Sequence, residues 1–230
     1  MNIQGLQKLT LLDYPGHTAC TVFTGGCNLR CPFCHNSPLV LTPEADTTFT
    51  EKDIFTLLNK RKGILDGVAV TGGEPLLQKD IAAFLEKIKE AGFLVKLDTN
   101  GTFPERLKEL IDNSLVDYVA MDIKNSREKY AITSGVKNID IGKIDQSISL
   151  LMTSGVEYEF RTTVVKEYHL PDDIENIAMW IKGAEKYFLQ CFKDSGAILS
   201  TGCSAPDECL IRDMKIKAEP FVEVCEIRGI

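Results

Sequence analysis

Short apolar runs rich in β-forming residues recur along this chain, and segments with helical apolar spacing separate them. The runs cover residues 18–23, 68–71, 93–97, 116–123, 158–165 and 187–192. Strands that alternate with helices favour successive βαβ units, in which right-handed crossovers join parallel strands. We therefore predict an α/β fold of about six such units, built as a partial (β/α)6 barrel of parallel strands with outer helices.

The helical segments carry recognisable start and stop signals. Apolar residues at 81, 84, 85 and 88 form a stripe that ends at Gly92, and those at 144, 148 and 151 form another that ends at Gly155. Thr50 with Asp53 predicts an N-terminal capping pair, and Pro171 followed by two aspartates predicts the first turn of a further helix. These signals support the alternation of helices with strands.

Composition limits the classes of protein to which the chain can belong. A length of 230 residues, with 44% hydrophobic and 26% charged residues, predicts a single ordered domain over 1–230. The net charge of −7 disfavours nucleic acid as a partner, because such binding needs a basic surface. No apolar stretch approaches the roughly 20 residues that span a bilayer, and residues 1–16 lack the pattern of a signal peptide. We expect a cytoplasmic protein without a membrane partner.

Unusual residues stand at the ends of four predicted strands. They are Thr24-Gly25-Gly26-Cys27, Gly72-Gly73-Glu74-Pro75, Asp98-Thr99-Asn100-Gly101 and Asp122-Ile123-Lys124. In parallel α/β folds, ligands bind beyond the carboxyl ends of the strands. We therefore expect these segments to form one site, with Pro75 starting the helix that follows the second strand.

The spacing of Cys27, Cys31 and Cys34 places three soft ligands in one loop after the first predicted strand. Three thiolates can hold three corners of a cubane iron–sulfur cluster. The fourth iron then stays open, and the amino and carboxylate groups of a small molecule could chelate it. Gly25 and Gly26 would let the backbone pass close to such a cluster.

Other interpretations of these cysteines remain open. Structural zinc needs four protein ligands, so His35 or a distant cysteine would have to complete the site. A thioredoxin-like redox pair at Cys31-Pro-Phe-Cys34 would leave Cys27 without a role. Buried thiols without a ligand are unusual for three cysteines within eight residues.

The stretch Gly26-Cys27-Asn28-Leu29-Arg30-Cys31-Pro32-Phe33-Cys34-His35-Asn36 resembles the signature of the radical S-adenosylmethionine (SAM) superfamily. Leu12-Asp13-Tyr14-Pro15-Gly16, the Cys-His-Asn at 34–36 and the Val-Cys-Glu-Ile-Arg-Gly at 224–229 are similar to activating enzymes of glycyl radical enzymes. The likeness is closest to the activating protein of anaerobic ribonucleoside-triphosphate reductase, and pyruvate formate-lyase activating enzyme is more distant. It covers Leu9 to about Phe192, with a core at 17–192, and thins out sharply in the divergent, cysteine-containing segment 193–230.

The resemblance implies a [4Fe-4S] cluster on Cys27, Cys31 and Cys34, with SAM bound at its open iron. It assigns contacts with SAM to Phe33, His35, Gly72, Gly73, Glu74, Asn100, Asp122, Lys124 and Arg161. The aromatic pair is expected at the adenine, and residues 72–74 at the methionyl amino group. Lys124 with Asp122 would meet the methionyl carboxylate and the ribose, and Arg161 could fork onto the same carboxylate.

Asp98, Thr99 and Asp122 match positions that line a monovalent cation site in pyruvate formate-lyase activating enzyme, and hard oxygen ligands suit such an ion. Plainer interpretations also remain. The two aspartates can cap helices or pair with basic neighbours, and Arg161 can lie on a strand surface. His35 can be an ordinary loop histidine, and residues 72–74 a simple glycine turn.

The resemblance further implies the reaction and its partners. A flavodoxin- or ferredoxin-type donor supplies one electron, SAM is cleaved to methionine and a 5′-deoxyadenosyl radical, and the radical removes hydrogen from a glycine of a partner enzyme. The implied partner is a glycyl radical enzyme, anaerobic ribonucleotide reductase. No residue of this chain need act as an acid or a base.

Segment 195–219 departs from the activating enzymes and carries Cys203 and Cys209, with Cys191 and Cys225 outside it. A second metal site is one interpretation, but the spacing fits no tight motif and ordinary thiols are expected. The departure leaves the substrate open, because radical SAM enzymes such as 7-carboxy-7-deazaguanine synthase share this core and act on small molecules. An iron–sulfur electron carrier or a zinc module would not need the Gly-Gly-Glu-Pro and Asp-x-Lys segments.

Overall fold

The computed structural model of the chain contains one sheet of eight strands in sequence order, and it describes residues 1–41, 49–194, 196 and 198–230. The strands are β1 (Ile3–Thr10), β2 (Ala19–Thr24), β3 (Gly67–Gly72), β4 (Leu94–Thr99), β5 (Tyr118–Asp122), β6 (Glu157–Val164), β7 (Lys186–Cys191) and β8 (Val224–Arg228). β1 pairs antiparallel with β2, and all later neighbours are parallel. The predicted α/β class with a mostly parallel sheet is confirmed.

The six predicted strands correspond to β2 to β7, with bounds that differ by two residues or fewer. The edge strands β1 and β8 were not predicted from the sequence. In β1 only the terminal Ile3 and Thr10 are buried, and in β8 only Cys225 is buried, so neither strand carries an apolar run. β8, which lies in segment 193–230, belongs to the same sheet. The single-domain assignment for 1–230 stays a prediction.

The helices are α1 (Ser37–Leu41), α2 (Glu51–Lys60), α3 (Ile81–Glu90), α4 (Pro104–Asp112), α5 (Tyr130–Ser134), α6 (Ile141–Thr153), α7 (Pro171–Trp180) and α8 (Glu208–Ala218). Both stripes predicted from apolar spacing are buried in α3 and α6, and Thr50 with Asp53 forms the expected capping box of α2. Pro75 starts only a 3-10 turn, because Gln78 is extended and ends it. Over the described ranges, no helix has the length and apolar character to cross a membrane.

The two faces of the sheet differ in chemistry because alternate strand residues point in opposite directions. The outer face packs Val95, Leu97, Val119, Met121 and Phe160 against the helices in the main apolar core. The inner face carries charged or polar side chains, among them Lys96, Asp98, Tyr118, Asp122, Glu159 and Arg161. Charged and polar side chains therefore reach the carboxyl ends of the strands.

Candidate active site

One cavity lies beyond the carboxyl ends of β3 to β7, and the segments expected to meet there do so. Its lining includes these residues predicted from the sequence: Cys27, Cys31, Phe33, Cys34, His35, Gly72, Gly73, Asp98, Thr99, Asn100, Asp122, Lys124 and Arg161. Glu74 does not line the cavity, because its side chain is fully buried beneath it. The carboxyl ends of parallel strands share one edge, and this geometry gathers residues that are far apart in sequence.

The loop that carries the three cysteines is fixed by backbone contacts with the end of α5. Arg30 N donates to Ser134 O at 2.8 Å, and the Arg30 guanidinium donates to Cys27 O at 2.6 Å. Gly135 has a positive φ of 68°, and a Cβ there would lie 2.1 Å from Arg30 O. The left-handed glycine therefore permits the close approach that holds this loop.

Burial is the main influence on the pKa values of Cys27 and Cys31. It raises the pKa of Cys31 to about 12, although the nearby charge of Lys124 opposes the rise. Burial also raises the pKa of Cys27, and the backbone N–H of Leu29 opposes it by donating to the sulfur at 3.4 Å. Since the thiolate is the form that binds metal, loading of this loop at neutral pH must release protons.

The donor set fits an iron–sulfur cluster better than a single metal ion. Three thiolates on a cubane each bind a different iron, so they need not converge on one point. Within residues 1–41, 49–194, 196 and 198–230, no three cysteine, histidine or acidic side chains form a group that could hold one metal ion. The His35 ring packs instead against Phe192, with 5.2 Å between centroids. Tetrahedral zinc therefore has no matching ligand set in the described chain.

Gly72 and Gly73 are glycines because two loops touch at this point. A Cβ on Gly73 would lie 1.9 Å from Gly26 O, and one on Gly72 would lie 2.3 Å from Thr24 N. Gly73 N donates to Thr24 O at 2.9 Å, and Glu74 N donates to Gly26 O at 2.8 Å. The end of β3 thus lies directly against the start of the cysteine loop, with both glycines still facing the cavity.

The Glu74 carboxylate holds the loop that follows β4. It accepts hydrogen bonds from Leu76 N (3.0 Å), the Thr99 hydroxyl (2.9 Å) and Asn100 N (2.7 Å). Burial raises the pKa of Glu74 to about 7 despite these three donors. The side chain is used to join two strand ends, and a contact of this segment with SAM stays a prediction.

An amide network ties the loop after β4 to the first cysteine. Asn100 Nδ2 donates to Asn28 Oδ1 at 2.9 Å and lies 3.9 Å from Cys27 Sγ. The Asn28 amide donates to the Thr102 hydroxyl at 2.8 Å, and that hydroxyl donates to Asn100 Oδ1 at 2.6 Å. This closed set of hydrogen bonds fixes an N–H beside the sulfur, where it can influence the reduction potential of a bound metal group.

A row of opposite charges forms the floor of the cavity. Arg161 Nε donates to Asp122 Oδ1 at 2.9 Å, and Lys124 Nζ lies 3.0 Å from Asp122 Oδ2. Arg161 also reaches Asp98 Oδ2 at 3.4 Å, and Lys96 pairs with the other oxygen of Asp98. Burial alone would raise the pKa of both aspartates, but the charge of Arg161 holds each below its usual value. Both carboxylates therefore stay ionised.

These partners bear on two predictions from the sequence. Asp98 and Asp122 pair with basic neighbours, as the plainer interpretation had it, and the Thr99 hydroxyl is directed at Glu74. A monovalent cation at these residues stays a prediction. Arg161 does not lie on an exposed strand surface, because only 12% of its side chain is accessible.

The two aromatic residues beside the last cysteine both face the cavity. Phe33 is buried, with its ring 5.9 Å from that of Tyr168. His35 is more exposed, and burial of part of its ring lowers its pKa, so the imidazole is neutral at neutral pH. An apolar wall next to a neutral imidazole is compatible with a flat heterocycle such as adenine.

Sequence reasoning missed three buried polar residues around the floor. Lys96 and Glu159 lie on the inner face, and His169 Nε2 lies 2.8 Å from Lys124 O. The signal for the first two was present, because charged residues stand at every second position in β4 and β6 among apolar neighbours. Such alternation in a strand flanked by buried strands marks a polar interior.

The cysteines of the C-terminal segment lie apart from one another in the described structure. Cys203 packs against a small apolar cluster near the cysteine loop, formed by Leu29, Cys31, Phe33, Val165 and Phe192. Cys209 is exposed on α8, and Cys225 is buried in the main core. None belongs to a group of three potential ligands in the part of the chain that the structure describes. That these cysteines are ordinary thiols stays a prediction.

Comparison with known proteins agrees with this geometry. The family model of the radical SAM superfamily matches residues 21–181. A protein of Methanocaldococcus jannaschii, provisionally named a glycyl-radical enzyme activating enzyme, is 36% identical over 236 residues, which cover 99% of this chain and 96% of the relative. The pyruvate formate-lyase-activating enzyme of Listeria monocytogenes is 34% identical over 134 residues, 53% of this chain and 52% of that enzyme.

The fold is also similar to that of solved structures. The crystal structure of Streptococcus suis SuiB bound to S-adenosylmethionine aligns with a TM-score of 0.71 at 15% identity, over 90% of this chain and 49% of that protein. At this identity the likeness concerns the fold alone. The family model covers more than half of the chain, and the M. jannaschii relative matches it from end to end. The chain belongs to the radical SAM superfamily.

Proposed function

We propose that this protein activates a glycyl radical enzyme, anaerobic ribonucleoside-triphosphate reductase, by removing one hydrogen atom from a glycine Cα of that partner. The observation that carries the proposal is the cavity that joins three thiols of one loop to a floor of paired charges. The end-to-end similarity to the M. jannaschii relative supports the class of activating enzyme. The motifs at 12–16, 34–36 and 224–229 support the choice of reductase.

Membership of the superfamily implies a [4Fe-4S] cluster and SAM. In the proposal, Cys27, Cys31 and Cys34 hold the cluster, while Lys124 and Arg161 bind the methionyl carboxylate. When bound, the cluster would pass on one electron from an external donor, and SAM would supply a carbon-centred radical that can take a hydrogen atom.

The protein's own task is to bind, orient and exclude water. Lys124 and Arg161 are both cations held at fixed positions by Asp122, so they present positive charge to an incoming carboxylate without reorganising. Phe33 closes one wall of the cavity with an apolar ring. The Glu74 carboxylate keeps the loop after β4 against the cysteine loop. No side chain is required to carry a proton.

Formation of 5′-deoxyadenosine tests the radical chemistry. The protein is reconstituted anaerobically with iron and sulfide, reduced with dithionite and given SAM. Wild type should release 5′-deoxyadenosine, and the variant with alanine at all three loop cysteines should not. Cys209→Ala is the matched control and should behave as wild type, since Cys209 is exposed on α8 away from the cavity. No deoxyadenosine from wild type with a full four-iron cluster would overturn the proposal and favour an electron carrier.

A second experiment tests the partner. The reduced protein is mixed with SAM and purified anaerobic ribonucleotide reductase, and electron paramagnetic resonance follows the glycyl radical. A reductase with alanine in place of its radical glycine is the control. Deoxyadenosine without a glycyl radical on this partner would reject the reductase. Release of a modified small molecule would favour an enzyme like 7-carboxy-7-deazaguanine synthase.

A further inference from the structure

The last strand places Arg228 on the inner face of the sheet, against Glu159 of β6. The two terminal nitrogens of Arg228 donate to Glu159 Oε1 and Oε2 at 2.8 and 2.9 Å. The same guanidinium lies 3.3 Å from the centroid of the Phe188 ring. A forked pair of charge-assisted hydrogen bonds, stacked on a ring, holds Arg228 in one geometry.

Glu159 is a buried anion that needs this partner. Its side chain is 1% exposed, and Oε2 also accepts a hydrogen bond from the Tyr118 hydroxyl at 2.8 Å. Burial would raise the pKa of Glu159, but the hydrogen bonds from Arg228 and the charge of Arg161 hold it below its usual value. Loss of one member of a buried ion pair leaves an uncompensated charge that draws in any nearby cation.

The nearest other cation is Arg161, two residues further along β6 and therefore on the same face. Arg161 Nη1 lies 4.0 Å from Glu159 Oε1, whereas Arg161 Nε donates to Asp122 Oδ1 at 2.9 Å. The guanidinium thus stands between Glu159 on one side and Asp98 and Asp122 on the other, and only the two aspartates line the cavity. Because Glu159 is already paired with Arg228, Arg161 keeps its hydrogen bond with Asp122.

We infer that Arg228 is a positioning residue for SAM binding, because by neutralising Glu159 it keeps Arg161 turned toward Asp122 and the cavity. The inference rests on the proposed function, in which Arg161 binds the carboxylate of SAM. Arg228 lies outside residues 21–181, which the family model matches. A side chain from the C-terminal strand therefore controls a contact made by the family core.

The test measures the dissociation constant of SAM for the reconstituted, unreduced holoenzyme by isothermal titration calorimetry. Arg228→Met should weaken SAM binding about tenfold, equivalent to about 1.4 kcal/mol. Glu159→Gln/Arg228→Met should bind SAM within about twofold of Glu159→Gln alone, because two residues that act as a pair do not add their effects. This rescue separates positioning through Glu159 from a merely structural role.

Thermal unfolding of each variant checks its folding, and Arg212→Met, on the exposed face of α8, is the control for loss of an arginine. If Arg228→Met does not fold, the same comparison with Arg228→Gln decides, since glutamine removes the charge and keeps hydrogen-bond donors. An Arg228 variant that binds SAM as wild type does would overturn the inference. A double variant that binds SAM as weakly as Arg228→Met does would overturn it too.

Arg161→Met distinguishes a failure of the inference about Arg228 from a failure of the role proposed for Arg161. Weakened SAM binding in Arg161→Met together with normal binding in the Arg228 variant rejects the inference and keeps the proposed function. Normal SAM binding in Arg161→Met rejects the role given to Arg161 and the inference with it, while deoxyadenosine formation still tests the radical chemistry.

Discussion

Gly73→Ala tests whether contact between two loops positions the cysteines. Gly73 is not among the residues with positive φ, so alanine can adopt its backbone conformation and only the added Cβ is at issue. That Cβ would lie 1.9 Å from Gly26 O, and real contacts essentially never fall below 3.0 Å, so the loops must separate by 1.1 Å. Because Gly26 directly precedes Cys27, the displacement passes to the first thiol of the site.

Overpacking of this kind costs about 1–3 kcal/mol. In a chain of this length, that loss lowers the melting temperature of the apoprotein by about 2–12 °C. The iron and sulfide retained after anaerobic reconstitution should also fall, because Cys27 moves away from the other two thiols. Scanning fluorimetry of the apoprotein and metal analysis of the reconstituted protein measure the two effects.

Gly142→Ala is the matched control, since its nearest neighbour is the flexible Asp140 side chain at 3.1 Å. It should keep the iron content of wild type. If Gly73→Ala melts and loads iron as wild type does, the contact with Gly26 does not position the loop and the reasoning fails.

Three further variants test the floor and the loops of the cavity. Lys124→Met should weaken SAM binding about tenfold or more, since a charge-assisted contact is lost, whereas Lys124→Arg should keep most of the affinity; equal binding by all three proteins would contradict the role of the charge. Glu74 keeps its proton to about pH 7 in the folded chain but loses it near its ordinary pKa of 4.5 when unfolded, so apoprotein stability should fall as pH rises through this window. Denaturant titrations at several pH values should show this fall in stability in wild type and not in Glu74→Gln. The same dependence of stability on pH in both proteins would refute the prediction. Asn100→Leu removes the N–H that lies 3.9 Å from Cys27 Sγ, and should make the reduction potential of the reconstituted cluster more negative in an anaerobic redox titration; an unchanged potential would show that this N–H does not act on the sulfur.

The position of the site could be predicted from the sequence because its parts are local. The three cysteines lie in one loop, and Gly72-Gly73-Glu74 and Asp98-Thr99-Asn100 each follow an apolar run. Parallel strands bring such segments to one edge whatever the details of packing. Placement at a shared edge therefore needed only the order of strands and helices.

Side-chain pairing within the site could not be predicted, because it depends on register and on which face each residue occupies. Glu159 and Arg228 lie 69 residues apart, and only the pairing of β6, β7 and β8 brings them together. The sequence also did not indicate that the buried Glu74 carboxylate accepts a hydrogen bond from Asn100 N. Without an apolar run, β8 gave no sign that the C-terminal segment enters the sheet.

The pairing of Glu159 with Arg228 also constrains the order in which the protein can mature during synthesis. The ribosome adds about 5–20 residues per second, so the 69 residues between the two take roughly 3–14 s to make. During that interval the cysteine loop and strands β2 to β6 have already been translated, while the inner face still holds a carboxylate without its forked partner. The inner face therefore reaches its final charge pairing only when β8, the last strand of the sheet to be made, joins β7.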